Sequence, residues 1–417
     1  MKKRLYLLPT YISSLKYYEK LLPRLNERYD VCFLIIRPDD QLRRGMLGYC
    51  EARDLPYIVL DAGLTKGGRR IPFMSALMRR RSHQRACHAL FQSSPSATLV
   101  AMKAVGGFVP AFKEANRLGF NTIVLQTSLT PPPDFYRPEP RVSARELVYR
   151  AYYALLSIAS LISDILSQGW SFMRTSAHPK RVGVIGPEGV SIFHKRFGFD
   201  PAAITVVGTA DYQRISELSG RVREDRLLRD ALLVRYGLEP AKKRILIMSV
   251  WFAHHGAARH SHLYSPAEVE RQITHYRRLI EAIREHCSIE EYDILFKLHP
   301  AEENRYEGYT AYGVKFFGDE ALSEELLALS DLYIADPCTS ANYMVVASGV
   351  PAIFDNTEGL PQLNKCQIFY PMRRITQNFN EFRNALNSFK EGTLDLGYDE
   401  SAVDRRSIDK IVSFISE

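Results

Sequence analysis

Two short motifs in this sequence carry side chains that can bind an anion. One apolar run leads into Lys297, His299 and Pro300, and a later one leads into Thr339 and Ser340. Cationic, imidazole and hydroxyl groups all bind phosphate oxygens. Because the carboxyl ends of neighbouring parallel strands form one crevice where ligands bind, we expect the two motifs to meet there. The sequence therefore predicts a phosphate site for a nucleotide-activated substrate.

The residues of this predicted site have separate expected roles. His299 would hold the phosphate that becomes the leaving group, so that the imidazole stabilises developing negative charge. Lys297 points to the same side of its strand and is expected to contact phosphate too, while Pro300 fixes the backbone. Capping of a helix, worth about 1 kcal/mol, would also explain Thr339 and Ser340. Because one cap is enough, we predict that both hydroxyls bind the donor nucleotide.

A second group of polar residues follows the first strand of the C-terminal half. Ser249, His254 and His255 lie in or beside a loop after this strand, and we expect them to contact the donor phosphate. The spacing to His260 and His262 suggests a metal site, but no carboxylate or cysteine completes a usual ligand set. We therefore predict no metal and no other cofactor.

Three acidic residues of the first half are predictions for a general base. Group transfer to a hydroxyl needs such a base within hydrogen-bond reach of the acceptor. Glu188 lies between two glycines in a tight turn, and Asp134 and Glu139 lie in a proline-rich loop. We predict Glu188 and Asp134 as catalytic residues, with Glu139 as an alternative. An exposed turn carboxylate without a function is the ordinary interpretation of all three.

Short apolar runs alternate with longer amphipathic stretches along the chain, which is typical of parallel βα units. In the first half the predicted strands are 5–8, 31–36, 57–60, 98–102 and 122–126. In the second half they are 244–249, 293–298, 314–317, 332–335 and 352–354. The predicted helices include 14–28, 73–92, 108–118, 213–236, 266–286 and 320–329. The pattern predicts an α/β protein with two doubly wound parallel sheets.

The length of 417 residues predicts two domains, because one hydrophobic core rarely grows to that size. We place an N-terminal Rossmann-like domain at 1–212, a linker helix at 213–241, a C-terminal Rossmann-like domain at 242–402 and a closing helix at 403–417. We expect the two sheets to face one another across an interdomain cleft. The nucleotide would bind the C-terminal domain and the acceptor the N-terminal one.

Charge is distributed unevenly along the chain, whose net charge is +8. Up to Arg181 there are 28 Lys and Arg against 13 Asp and Glu, and beyond it 27 against 34. A basic first half fits an anionic membrane surface, a phosphorylated acceptor or a nucleic acid. No zinc finger or RNP-type aromatic strand is present, so we predict no nucleic-acid partner. A solvated basic face is the ordinary alternative.

Several features bear on localisation. The apolar run near the N-terminus is too short for a signal peptide, and no stretch of about 18 apolar residues predicts a membrane span. The six cysteines form no C-x-x-C pair, which suggests a reducing compartment. A very apolar helix predicted at 149–170 would either dip into a bilayer or lie buried between the domains. We expect a cytoplasmic protein with peripheral contact to the inner face of the bacterial plasma membrane.

The two phosphate motifs resemble those of a known group of enzymes. Lys297, His299, Pro300, Thr339 and Ser340 are similar to the donor domain of bacterial glycosyltransferases with the GT-B fold. The resemblance is to the members with HP and Ser/Thr-Ser motifs: sialyltransferases and polysialyltransferases, Kdo transferases and CDP-glycerol glycerophosphotransferases. In that group the two motifs hold the phosphate and base of a cytidine nucleotide. The resemblance is best over residues 180–360.

The resemblance implies a function and leaves alternatives. It implies transfer of a sugar from a nucleotide donor, with a CMP-activated acidic sugar favoured, to a lipid-linked or surface-polysaccharide acceptor, without a metal. Glu188 and Gly189 look like the acidic-Gly motif that carries the catalytic base in sialyltransferases. The enzyme alternatives are a CDP-glycerol glycerophosphotransferase and a non-hydrolysing UDP-N-acetylglucosamine 2-epimerase. A non-catalytic nucleotide-sugar-binding assembly protein is an alternative of another class.

Overall fold

The structure, a computed structural model, describes part of the chain in detail. The described residues are 2–10, 12–36, 40–60, 73–102, 108–127, 178–249, 266–298, 307–318, 320–337, 339, 341–359 and 372–417. Backbone contacts divide the chain into two compact units. Unit 1 comprises residues 1–127, 139–210 and 408–417, and unit 2 comprises residues 128–138 and 211–407.

Unit 1 contains a seven-stranded parallel sheet with the strand order β3-β2-β1-β4-β5-β6-β7. Its strands are β1 (Lys3–Leu8), β2 (Tyr29–Ile35), β3 (Tyr57–Val59), β4 (Thr98–Ala101), β5 (Asn121–Leu125), β6 (Arg181–Val184) and β7 (Ile204–Val206). Its helices are α1 (Ile12–Glu19), α2 (Leu22–Arg28), α3 (Asp40–Glu51), α4 (Phe73–Gln92), α5 (Val109–Arg117) and α6 (Pro187–Phe197). The order reverses direction at β1, as in Rossmann-like sheets.

The core of unit 1 lies on both faces of this sheet. Successive side chains of a strand point to opposite faces, so β1 contributes to two separate clusters. Leu5 and Leu7 pack in one cluster, which includes apolar residues of the last helix, and Tyr6 and Leu8 pack in the other. A strand that is buried on both faces must be almost continuously apolar, which explains the composition of β1.

Unit 2 contains a six-stranded parallel sheet with the strand order β10-β9-β8-β11-β12-β13. Its strands are β8 (Lys243–Met248), β9 (Tyr292–Lys297), β10 (Val314–Phe317), β11 (Leu332–Ala335), β12 (Ala352–Asp355) and β13 (Ile375–Thr376). Its helices are α7 (Ala210–Glu224), α8 (Arg226–Arg235), α9 (Pro266–His286), α10 (Ser323–Leu329), α11 (Asn342–Ser348) and α12 (Phe379–Glu391). The central strands β8, β9 and β11 are buried throughout apart from Lys243, as expected for strands covered on both faces.

The last helix, α13 (Ser407–Ser416), returns to unit 1. Its residues Ile411 and Phe414 pack in the cluster that contains Leu5 and Leu7. Arg181 at the start of β6 donates to the carbonyl of Phe414 over 2.8 Å and to the carboxylate of Glu417 over 2.6 Å. The chain end is therefore fixed to the sheet of unit 1 by both apolar and polar contacts.

The predicted α/β architecture with two parallel sheets is confirmed, and two predicted helices are each interrupted. The helix predicted at 14–28 is α1 and α2, since Pro23 lies in the first turn of α2, where proline is tolerated. The helix predicted at 213–236 is α7 and α8, because the side chain of Asp225 accepts from the N–H of Leu228 and caps a new helix. Strands β6, β7 and β13 were not predicted.

Two further observations concern the described residues. No helix among them is both long enough and apolar enough to cross a membrane. Four cysteines of the described residues are buried and form no disulfide there: Cys32, Cys50, Cys87 and Cys287.

Candidate functional site

Three strand ends of unit 2 carry polar residues that the sequence predicts as ligands. Strand β8 lies between β9 and β11, with Met248 beside Lys297 and Ile247 beside Ile334. Neighbouring strands are about 4.8 Å apart, so β9 and β11 are separated by about 10 Å. The carboxyl ends of all three strands therefore lie at one edge of the sheet of unit 2.

Ser249 and Lys297 are joined at this edge. The N–H of Ser249 donates to the carbonyl of Lys297 over 3.1 Å, and its hydroxyl lies 3.4 Å from the same oxygen. The ammonium of Lys297 is buried and donates to the carbonyls of Leu298 over 3.2 Å and of Gly318 over 2.6 Å. Lys297 thus holds the turn after β9 against the turn after β10. The structure places its cation among backbone oxygens, where it fixes the chain just before His299.

Thr339 follows β11 at the same edge. Its hydroxyl lies 3.4 Å from the N–H of Ala341, and its carbonyl accepts from the N–H of Asn342 over 3.2 Å. The fully buried amide of Asn342 donates to the carbonyls of Asp336 and Pro337, both over 3.1 Å. Asn342 therefore fixes the turn between β11 and α11, and this turn presents Thr339.

The structure thus brings Ser249, Lys297 and Thr339 to one sheet edge. The other predicted ligands at this edge lie outside the described residues: His254, His255, His299, Pro300 and Ser340. Asp134, Glu139 and the apolar segment 149–170 also lie outside them.

Glu188 lies at the carboxyl edge of the other sheet, in unit 1. It is in the first turn of α6, directly after β6. Burial raises the pKa of Glu188 from its ordinary value of 4.5 to about 7, although a hydrogen bond from its own backbone N–H opposes the shift. Its Oε1 is buried and has no hydrogen-bond partner among the described residues. A carboxyl group with such a pKa can accept or release a proton near neutral pH.

The turn that carries Glu188 is closely packed. The N–H of Ile185 donates to the side-chain oxygen of Gln126 over 3.1 Å. A Cβ atom on Gly189 would lie 2.7 Å from the Cβ of Val184 and 2.8 Å from the same Gln126 oxygen. Only glycine fits at position 189 without movement of the strand, which is a physical reason for glycine directly after Glu188.

A buried polar cluster in unit 2 was missed by the sequence analysis. His275 of α9 and Asp355 at the end of β12 form a hydrogen bond, with Nε2 and Oδ2 separated by 2.5 Å. Asp336, Asn356 and Glu358 join them around a small cavity. The sequence contains a signal for this cluster, because His275 is a polar residue on the apolar face of α9, the face that contains Leu279 and Ile283. The cluster lies at the same edge of the sheet as Ser249 and Thr339, because β11 and β12 end there.

The carboxylates around His275 determine the protonation state of its imidazole. Burial by itself lowers the pKa of His275, but the hydrogen bond to Asp355 and the charges of Asp355, Glu358 and Asp336 outweigh it. The pKa of His275 is therefore raised above its ordinary value. Within the described part of the chain, no group of three or more His, Cys, Asp or Glu side chains is arranged to hold a metal ion.

Comparison with known proteins shows similarity at the level of structure. No protein-family model matches the sequence, and no curated protein matches it. The UDP-GlcNAc 2-epimerase from Neisseria meningitidis bound to UDP-GlcNAc is similar over 99% of this chain and 99% of that chain, with a TM-score of 0.56 and 10% identity. MurG from Acinetobacter baumannii is similar over 99% of both chains, with a TM-score of 0.52 and 13% identity.

The wall teichoic acid polymerase TagF is similar over 100% of this chain and 88% of that chain, with a TM-score of 0.52 and 13% identity. At these identities the similarity concerns the fold. Together with the two parallel sheets, it shows that this chain has the GT-B fold with two Rossmann-like domains.

Proposed function

We propose that this protein is a glycosyltransferase that moves a sugar from a nucleotide donor, a CMP-activated acidic sugar, to a lipid-linked or surface-polysaccharide acceptor. The observation that carries this proposal is the convergence of Ser249, Lys297 and Thr339 at the carboxyl edge of unit 2. In open α/β sheets ligands bind at this edge. The fold supports the proposal, since the similar epimerase from Neisseria meningitidis is bound to the nucleotide sugar UDP-GlcNAc.

The proposed reaction is a displacement at the anomeric carbon of the donor sugar. The acceptor hydroxyl oxygen forms a bond to this carbon while the bond from the carbon to the phosphate oxygen breaks. The hydroxyl proton passes to Glu188, whose pKa of about 7 suits a general base near neutral pH. The CMP phosphate leaves with the bonding electron pair, and His299, Thr339 and Ser340 stabilise its charge. Lys297 orients the turn before His299 through its two carbonyl contacts.

The uridine-dependent alternative, an epimerase, is supported by a specific observation as well. The epimerase from Neisseria meningitidis has a TM-score of 0.56 to this chain. The resemblance to the non-hydrolysing epimerases implies an acidic residue after Ser340 that holds a uridine ribose, and this sequence has Asn342, Tyr343 and Met344 there. The side chain of Asn342 is buried and bonded to backbone carbonyls, so it is engaged in the turn. This favours the cytidine donor.

Thermal unfolding of the full chain with CMP, CDP, UMP and UDP tests the proposal. A nucleotide at 100 times its Kd should stabilise the folded protein by about 2.7 kcal/mol. We expect CMP or CDP to raise the Tm and UMP and UDP to leave it nearly unchanged. A rise with CDP alone would favour the CDP-glycerol alternative, and a rise with UDP alone would favour the epimerase.

Turnover separates the enzyme from an assembly protein. We expect release of CMP from a CMP-sugar, and we expect His299→Ala to reduce it by about 100-fold or more. Nucleotide binding without turnover on any acceptor tested would favour a non-catalytic protein. Co-sedimentation with anionic vesicles tests the membrane contact, which should weaken from 50 to about 300 mM salt if the basic N-terminal residues carry it.

A further inference from the structure

The cavity in unit 2 is small and has a polar side. It has a volume of about 10 Å³ and lies between α9 and the carboxyl ends of β8, β11 and β12. Its apolar wall is formed by Ile247, Ile334, Tyr276 and Leu279. Its polar wall is formed by His275, Asp336, Asp355, Asn356 and Glu358. A space of this size holds one group no larger than a water molecule.

Two polar atoms of this wall have unused hydrogen-bonding capacity. The Nδ1 atom of His275 is buried without a hydrogen-bond partner among the described residues, and the buried Oε2 atom of Glu358 forms an ion pair with Nε of Arg271 over 3.4 Å but accepts no hydrogen bond from them. His275 is only 5% exposed, so its Nδ1 has little access to bulk water. Its other nitrogen, Nε2, is engaged by Asp355. Buried polar groups in proteins are almost always hydrogen-bonded, so these two atoms indicate a ligand group.

The charges around the cavity define the chemistry of that group. Three carboxylates line the cavity, those of Asp336, Asp355 and Glu358. The positively charged groups beside them are His275 and the guanidinium of Arg271, whose Nε lies 3.4 Å from Oε2 of Glu358. Carboxylates only accept hydrogen bonds, so the ligand group must donate. An amino group is about as large as a water molecule and donates two N–H bonds. A carbonyl oxygen in the same position would face carboxylate oxygens and would be repelled.

We propose that this cavity receives the exocyclic amino group of a cytosine base and thereby selects a cytidine over a uridine donor. This inference rests on the proposed function. Glu358 accepts one hydrogen bond from the amine. Because Nε2 of His275 donates to Asp355, the protonated form of His275 carries a second N–H at Nδ1, which donates to the adjacent ring nitrogen. Uracil carries the opposite pattern at these positions, with a carbonyl oxygen and a ring N–H. The acidic wall therefore discriminates by attraction to cytosine and by repulsion of uracil.

The position of the cavity agrees with a nucleotide in the proposed donor site. Asp336 lines the cavity, and Thr339 lies three residues later in the same turn. Three residues span at most about 11 Å, which is the scale of a nucleoside monophosphate from base edge to phosphate. Asn342 holds this turn through the carbonyls of Asp336 and Pro337. Asp336 and Thr339 can therefore supply the base-selecting carboxylate and the phosphate-binding hydroxyl from neighbouring positions of the chain.

Calorimetric titration of the full chain tests this inference with three probes. They are CMP, UMP and a CMP whose exocyclic amine carries two methyl groups, which removes both donors and enlarges the group. A charge-assisted hydrogen bond corresponds to a factor of about 10 to 100 in affinity. We expect the wild type to bind CMP at least about tenfold more tightly than either other probe. The Glu358→Gln variant offers an amide donor to uracil, so the affinities for CMP and UMP should approach one another.

Glu285→Gln is the matched control, because Glu285 is an exposed residue of α9 paired with Arg383. This variant should keep the preference of the wild type. Equal affinity of the wild type for CMP and its dimethylated analogue would overturn the inference, as would a Glu358→Gln variant that keeps the full CMP preference. In both cases nucleotide binding itself would still support the proposed function. Binding of no nucleotide would overturn both. Thermal unfolding without ligand establishes that Glu358→Gln is folded.

Discussion

His275 Nε2 lies 2.5 Å from Asp355 Oδ2, and both side chains are only 5% exposed. The pair joins the middle of α9 to the carboxyl end of β12. Helix α9 is the next described element after Ser249, and Asp355 begins the segment that contains Glu358. One buried hydrogen bond therefore connects two chain segments that border the proposed donor site.

The first prediction concerns Asp355→Asn. Removal of one partner of a buried ion pair costs about 3 to 5 kcal/mol when the other stays charged. Asp355 helps to raise the pKa of His275 above its unfolded value near 6.5. The stabilisation is complete below that unfolded value and is lost as pH rises through the folded pKa. Urea unfolding should therefore show a larger loss of stability for Asp355→Asn at pH 6 than at pH 9.

The control for this variant is Asp395→Asn. Asp395 pairs with Arg374 over 2.9 Å, but both side chains are about half exposed. Exposed pairs contribute about 0 to 1 kcal/mol, so this variant should unfold nearly as the wild type does at both pH values. An equal loss for Asp355→Asn at pH 6 and pH 9 would show that protonated His275 does not contribute to stability.

The second prediction concerns Glu188→Gln. The folded pKa of Glu188, about 7, is above its unfolded value, so ionisation of this carboxyl destabilises the folded state as pH rises from about 4.5 to 7. A neutral glutamine removes this cost. Chemical denaturation should show Glu188→Gln more stable than the wild type by about 2 kcal/mol at pH 8 and unchanged at pH 4.

The same variant tests the proposed catalytic role. If Glu188 is the general base, the wild-type rate should fall below a pKa near 7, and Glu188→Gln should lose about 100-fold or more of its turnover. Gain of stability with loss of activity is the combination expected of a catalytic group that is destabilised in the folded state. Full turnover in the more stable variant would remove Glu188 from the reaction.

The sequence predicts the fold well because its signals are local. The runs that form β1 and β9 are apolar on both faces, and the predicted helices at 73–92 and 266–286 agree with α4 and α9. The break at Asp225 was missed because the helical pattern continues across it, although an aspartate that can cap a helix was visible. Strand β6 was missed because four residues with a central glycine give little β signal.

The positions of the predicted ligands could be inferred from the sequence only where these residues follow strand ends. Parallel pairing placed Ser249, Lys297 and Thr339 at one edge, as the sequence suggested. The partners of a side chain depend on packing, so sequence did not show that Lys297 binds backbone carbonyls. The approach of His275 to Asp355 joins residues that are 80 positions apart, and only the three-dimensional structure brings them together.

The third prediction concerns Gly189→Ala. The added Cβ would lie 2.7 Å from the Cβ of Val184, and no change of rotamer separates the two atoms, because the position of a Cβ is fixed by its own backbone. We expect a loss of about 1 to 3 kcal/mol from overpacking, measured by thermal unfolding. Gly220→Ala is the control, because a Cβ there meets nothing within 4 Å. Gly220 lies inside α7, so alanine should stabilise it by about 0.5 to 1 kcal/mol.

The fourth prediction separates two roles of Lys297. If the ammonium mainly holds the carbonyls of Leu298 and Gly318, Lys297→Met should lower stability without ligand by about 2 to 4 kcal/mol. The affinity for the donor should then fall only to the extent that loss of these hydrogen bonds moves the turn before His299. Lys180→Met is the control, since Lys180 also donates to a carbonyl, that of Phe120 over 2.7 Å, but is exposed. The control variant should lose about 1 kcal/mol of stability.

The opposite result would be a Lys297→Met protein that is as stable as the wild type but no longer binds CMP. This result would identify Lys297 as a direct phosphate ligand, since only ligand binding would then depend on the ammonium.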